Sequence, residues 1–111
     1  MPRDSEVYLA DIVEAIQRIG RYTIGMRRET FAEDQKTIDA VVRNLEVIGE
    51  AVKSLPVALR TQHPTVEWQK IAGLRDILIH AYFGIDVEII WDVVMNKLPG
   101  LKETIGKMSA K

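Results

Sequence analysis

Apolar residues recur along this chain at spacings of three and four, the pattern of helices that bury one face. In the first segment Leu9, Ile12, Val13, Ile16 and Ile19 keep that spacing. Asp4 or Ser5 stands where a helix cap belongs, and Glu6 suits the first turn. Gly20 and Gly25 weaken the helix around residues 21–27. Residues 31–34 read as a short connection. A second helix is predicted over residues 35–54, with Ile38, Val41, Val42, Leu45, Ile48, Val52 and Leu55 as its apolar stripe. Gly49 costs that helix about 1 kcal/mol relative to alanine. Close packing against another helix, at Gly73 for instance, would explain it. Pro56 suits the first turn of a short third helix, residues 56–61. His63-Pro64 then breaks the chain, and His63, in a loop, is given no role.

The segment from Ile71 to Phe83, IAGLRDILIHAYF, is apolar apart from Arg75, Asp76, His80 and the Tyr82 hydroxyl. A helix apolar nearly all round belongs in the middle of a bundle. This helix is predicted to start near Val66 or Glu67 and to end near Ala81 or Tyr82. Leu74, Leu78 and Ala81 are expected to face the core. Trp68, Ala72, Arg75 and Ile79 form a second face, with Asp76 and His80 beside it, and that face is the expected dimer and active face. Phe83-Gly84-Ile85 makes the turn, and Asp86 caps the next helix. Ile90, Trp91, Val94 and Leu98 give that helix its stripe, Pro99 kinks or restarts it, and Leu101 and Ile105 continue it. The chain carries no alternating strand pattern, internal repeat or low-complexity tract. The fold expected is all-α: an antiparallel helix bundle of four main helices plus short helices.

Length and composition narrow the function. A chain of 111 residues makes one domain, residues 1–111, with a modest core that oligomerisation would help. Fifteen Lys and Arg against sixteen Asp and Glu leave a net charge of −1. That argues against a non-specific nucleic-acid coat but leaves room for RNA in one small cleft. The absence of cysteine removes disulfides and thiolate metal sites and suits a reducing cytoplasm. No apolar run approaches a membrane span. The N-terminus, with Asp4 and Glu6 and no long apolar core, is not expected to be a signal peptide. No cofactor or metal is expected: there is no Gly-rich phosphate loop, no HExxH and no G-x-S-x-G elbow.

Arg75, Asp76 and His80 carry the candidate chemistry. An arginine, an aspartate and a histidine on an apolar helix are paired, solvated through a cleft, or chemically active. Asp76 and His80, four apart, face the same way within about 40°, whereas Arg75 and His80 diverge by about 140°. One helix therefore makes a poor Arg-His site, but two copies across a two-fold axis could gather two arginines and two histidines in one cleft. Histidine moves protons near neutral pH, and arginine clamps phosphate in two-pronged fashion. The same three residues also suit a buried ion network that fixes helix register.

The pattern Arg75-x4-His80-x-Tyr82, with GLRDILIHAYFGID around it and Trp68, Ile71 and Trp91 flanking, resembles the signature of HEPN domains, in particular the HepT-like ribonuclease toxins. Residues 43–51, RNLEVIGEA, also resemble the second-helix signature of that family, and the likeness spans essentially the whole chain. It implies a metal-independent endoribonuclease that leaves a cyclic phosphate, with Arg75 and His80 catalytic and Asp76 supporting. It further implies a homodimer and cellular RNA, tRNA among it, as substrate. It also implies a partner, a minimal nucleotidyltransferase antitoxin that silences the toxin by adenylylating Tyr82. The competing reading is a non-catalytic helical module that binds such a nucleotidyltransferase.

Two further groups are open. Arg18, Arg21, Arg27 and Arg28 form either a solvated basic face or a phosphate-tracking rim. Arg43, Asn44, Glu46 and Glu50 are either surface polar partners at helical spacings or flank the cleft and position Arg75.

Overall fold

The two long apolar stripes fold as helices whose bounds the sequence patterns anticipate. The structure, a computed structural model, describes residues 5–74 and 87–109. The first helix, α1, spans Ser5–Thr23 and buries Leu9, Ile12, Ala15, Ile16 and Ile19. It runs through Gly20 and stops where the Thr23 hydroxyl donates to the Ile19 carbonyl at 2.8 Å. Gly25 then turns the chain at φ 74°, a left-handed conformation that glycine adopts without Cβ strain.

Residues 31–34, expected as a plain connection, are partly helical. A short helix, α2, spans Arg28–Ala32. At its start the Arg27 N–H donates to Thr30 Oγ1 at 2.9 Å, and the Thr30 hydroxyl donates to the Arg27 carbonyl at 3.0 Å. The helix exists to deliver Phe31, which is fully buried and stands 5.1 Å from the Trp91 ring, tilted by 38°. Helix α3 spans Gln35–Lys53, capped by the Asp34 carboxylate, which accepts the Thr37 N–H at 3.0 Å. Helix α4 is Val57–Thr61, entered from Pro56.

Helix α5 is Trp68–Ala72, starting one or two residues later than predicted, with Gly73 as its C-cap. Leu74 is buried, as expected. Trp68 is not on a face left for a dimer: it is buried in the core, while Ala72 is partly buried and packs at the core's edge. The reason is the loop before them. The Trp68 indole donates to the His63 carbonyl, which draws the ring inward. Gly49 is buried, in keeping with close packing, but the atoms nearest a Cβ on Gly73 are the Gln69 and Lys70 carbonyls of its own turn. The expected Asp4 cap, Leu78, Ile79, Ala81, the 83–85 turn and the Asp86 cap lie outside the described residues.

Helix α6, Val87–Asp92, passes into a π-helical turn, Val93–Lys97, and α7 runs over Leu98–Ser109. Pro99 explains the sequence of turns. It lacks an N–H, and its ring would meet the Met95 carbonyl in a continuous α-helix. The wider π turn removes that conflict, and the α-helix restarts at Leu98.

These helices form an all-α bundle, and no strand occurs among the described residues. α1 and α3 pack together, α7 lies on α1, α5 on α3, and α2 bridges α3 and α6. Ile12, Ile19, Leu45, Ile48, Val52 and Ile105 are buried almost completely where they meet. Each contributes on the order of 2 kcal/mol through apolar area removed from water.

Candidate functional site

Arg75, Asp76, His80 and Tyr82, the residues singled out by the sequence, lie outside the described residues. The chain enters them from α5, through Gly73 and Leu74.

The described residues build a groove between α1 and α3, about 520 Å³ in volume. From α3 come Arg43, Glu46, Val47 and Glu50; from α1 come Tyr8 and Asp11. Arg43, Glu46 and Glu50, at spacings of three and four, share one side of α3. Together the groove holds three carboxylates, one guanidinium and a phenol. No ion pair joins Arg43 to Glu46 among the described residues. Asn44 is not a surface partner. It is buried, and its amide donates to the Ala40 carbonyl at 2.9 Å. Tyr8 and Asp11 were not expected here. Their signal is their i, i+3 spacing on the flank of the α1 apolar stripe, beside Leu9 and Ile12.

A second cavity, about 490 Å³, opens between α4 and α5. Its walls are largely apolar, with Val57, Pro64 and Val66 among them, and its charges are Arg60, Glu67 and Lys70. Lys70 stands 2.6 Å from Glu67, and Lys97 3.6 Å from the other Glu67 oxygen. The Lys70 hydrogen bond holds the Glu67 carboxyl below the ordinary glutamate range, and Glu67 in turn holds Lys70 above the ordinary lysine range. Arg60 is different: its Nε is buried and has no hydrogen-bond partner among the described residues.

The basic cluster is divided. Arg18 pairs with Glu14 at 2.6 Å, and Arg28 pairs with Glu88 and, at 3.7 Å, with Glu29. Arg21 and Arg27 are exposed and join no ion pair among the described residues. Half the cluster is thereby neutralised, which fits a solvated face better than a continuous phosphate rail.

No group of three or more His, Cys, Asp or Glu among the described residues is arranged to hold a metal ion. No described helix is long and apolar enough to cross a membrane.

Comparison of the sequence with known proteins places the chain in a family. Residues 12–108 match the ribonuclease HepT-like family. A "Probable ribonuclease HepT" of Thermococcus cleftensis is 44% identical over 108 residues, covering 97% of this chain and 98% of that protein. A "Putative RNase" of Methanocaldococcus jannaschii is 51% identical over 100 residues, covering 89% of this chain and 83% of that one. A third relative, a "Gamma-glutamylcyclotransferase and putative RNase" of the same organism, is 41% identical over 108 residues, which make up 97% of this chain and 49% of the longer protein. No solved structure gives a significant match. With an all-α bundle and a family match that runs from the middle of α1 to the end of α7, the chain belongs to the HepT-like ribonuclease family.

Proposed function

We propose that this protein is a metal-independent endoribonuclease toxin that cleaves cellular RNA, tRNA among its candidate substrates, at the interface of a homodimer. The observation that carries the proposal is the family match over residues 12–108 in a chain that also holds Arg75-x4-His80. In this reading residues 1–111 act as one domain in the cytoplasm, with no cofactor.

The chemistry follows from the residue types. His80 of one copy takes the proton of the RNA 2′-hydroxyl. The freed oxygen attacks the adjacent phosphorus, and the bond from phosphorus to the 5′-oxygen breaks. The second copy's His80 gives a proton to the leaving oxygen, so one chain ends in a 2′,3′-cyclic phosphate and the other in a 5′-hydroxyl. Arg75 neutralises the charge that builds on the phosphoryl oxygens. Asp76, four residues before His80, orients its ring and favours the protonated form.

Tyr82 is the control point. A minimal nucleotidyltransferase antitoxin transfers adenylyl groups from ATP to its hydroxyl, pyrophosphate leaving each time, and the added phosphates and bulk exclude RNA from Arg75 and His80. His80→Ala tests the catalytic half: it removes cleavage and leaves antitoxin binding intact. Tyr82→Phe tests the regulatory half: it keeps cleavage and escapes silencing. The second reading, a non-catalytic module docking a nucleotidyltransferase, is favoured by the net charge of −1. It predicts that the purified protein cleaves no RNA at all.

A further inference from the structure

The cavity between α4 and α5 has a feature that the proposed chemistry does not use. Arg60 lines it with a buried Nε that no group among the described residues accepts. No ion pair among the described residues includes Arg60 either. Nε is the Arg60 nitrogen that is buried without a partner; the residue as a whole is half-buried, which leaves the outer guanidinium nitrogens to meet an anion in the cavity. Lys70, on the same cavity, is 80% exposed and turned to solvent. Glu67 is shared between Lys70 and Lys97, so it leaves the cavity with an excess of positive charge. A volume of about 490 Å³ lies within the range of ligand pockets, roughly 300–1,000 Å³. It suffices for one nucleobase with its phosphate.

We propose that this cavity is a nucleotide subsite for single-stranded RNA, with a phosphodiester held by Arg60 and Lys70 and the adjoining base laid on Val57, Pro64 and Val66. Arginine supplies the fixed fork that a phosphate accepts, lysine a mobile point charge at the rim, and the apolar wall a sequence-tolerant surface for the base. The subsite rests on the ribonuclease reading and extends it: it takes a nucleotide of the substrate other than the one at which the strand is cut. The Arg60 contact forms before and during reaction alike, so its loss raises KM and leaves kcat unchanged.

The test is fluorescence anisotropy with a labelled, fully 2′-O-methylated single-stranded oligoribonucleotide, which binds but cannot be cleaved. Arg60→Gln is expected to weaken binding about tenfold, the loss of one charge-assisted hydrogen bond pair. Lys70→Gln is expected to weaken it about threefold, and each variant lowers the salt slope by about 0.7. Lys102→Gln, exposed on α7, serves as the control and leaves affinity unchanged. Lys70→Gln is a surface change that cannot unfold the chain, so it carries the test if Arg60→Gln fails to fold. Wild-type affinity in both variants overturns the subsite, as does a wild type that binds no oligonucleotide. Arg60-dependent binding of hexaglutamate, with none of the RNA, assigns the cavity to a protein carboxylate instead and also overturns it. The outcomes separate from the ribonuclease reading. Cleavage with KM indifferent to Arg60 removes the subsite alone. Arg60-dependent binding without cleavage of ordinary RNA removes the ribonuclease alone.

Discussion

The indole nitrogen of Trp68 donates to the His63 carbonyl at 2.9 Å, closing the loop that leads into α5. That bond fixes where α5 begins, and the chain beyond α5 runs into Arg75. Trp68→Phe keeps most of the buried ring but leaves the His63 carbonyl with only the longer bond from the Val66 N–H, at 3.3 Å. The expected loss is about 0.5–1.5 kcal/mol in urea unfolding, the net worth of one hydrogen bond. Trp68→Ala removes the ring as well and is expected to cost about 3–5 kcal/mol. Wild-type stability in Trp68→Phe would show that the loop does not depend on this bond.

Phe31 and Trp91 tie α2 to α6. Phe31 is completely buried, so Phe31→Ala leaves a cavity that the surrounding helices fill only in part. The expected destabilisation is about 3–5 kcal/mol by chemical denaturation. Phe31→Leu retains most of the volume and is expected to lose much less.

Asp34 gives a pH signature. Its hydrogen bonds from Thr37, backbone first, hold its carboxyl below the ordinary value of 3.8. A group whose folded pKa is depressed contributes stability in full above its unfolded value and loses it as pH falls through the folded one. Asp34→Ala is therefore expected to unfold at lower urea than wild type at pH 7. The gap is expected to narrow progressively as pH falls below 3.8. A gap that stays constant down to strongly acid pH would contradict a charged cap.

Much of this architecture is legible in the sequence for a physical reason. α1 and α3 are long enough for the 3.6-residue period to repeat several times, so Ile12, Ile19, Ile38, Leu45 and Val52 announce their burial by spacing alone. α2 has five residues, too few for a period, and Phe31 gives no local sign that Trp91 will meet it. The π turn over Val93–Lys97 arises from a conflict between Pro99 and a carbonyl four residues earlier, which an apolar stripe does not record. Helical spacing puts Trp68 on an outer face because spacing ignores the pull of the His63 carbonyl. Asn44 looked like a surface residue because its type is usually exposed. Its buried amide is satisfied within its own helix. At the candidate site the sequence supplies the motif Arg75-x4-His80-x-Tyr82. Tyr8 and Asp11 carry only the weak local sign of their i, i+3 spacing, and Arg60 carries none; tertiary packing of α1 on α3, and the loop from α4 to α5, bring them to cavities.

The central claim is that Arg75 and His80 cleave RNA without metal. The most direct measurement is incubation of end-labelled tRNA and single-stranded RNA with the purified, unmodified protein in excess EDTA, wild type beside His80→Ala. The account predicts cleavage by wild type alone, with products ending in a cyclic phosphate and a 5′-hydroxyl. It further predicts that His80→Ala is folded and at least about a hundredfold slower, as expected on removing a general acid–base group. Absence of cleavage by a folded wild-type dimer, or equal cleavage by both proteins, would contradict it.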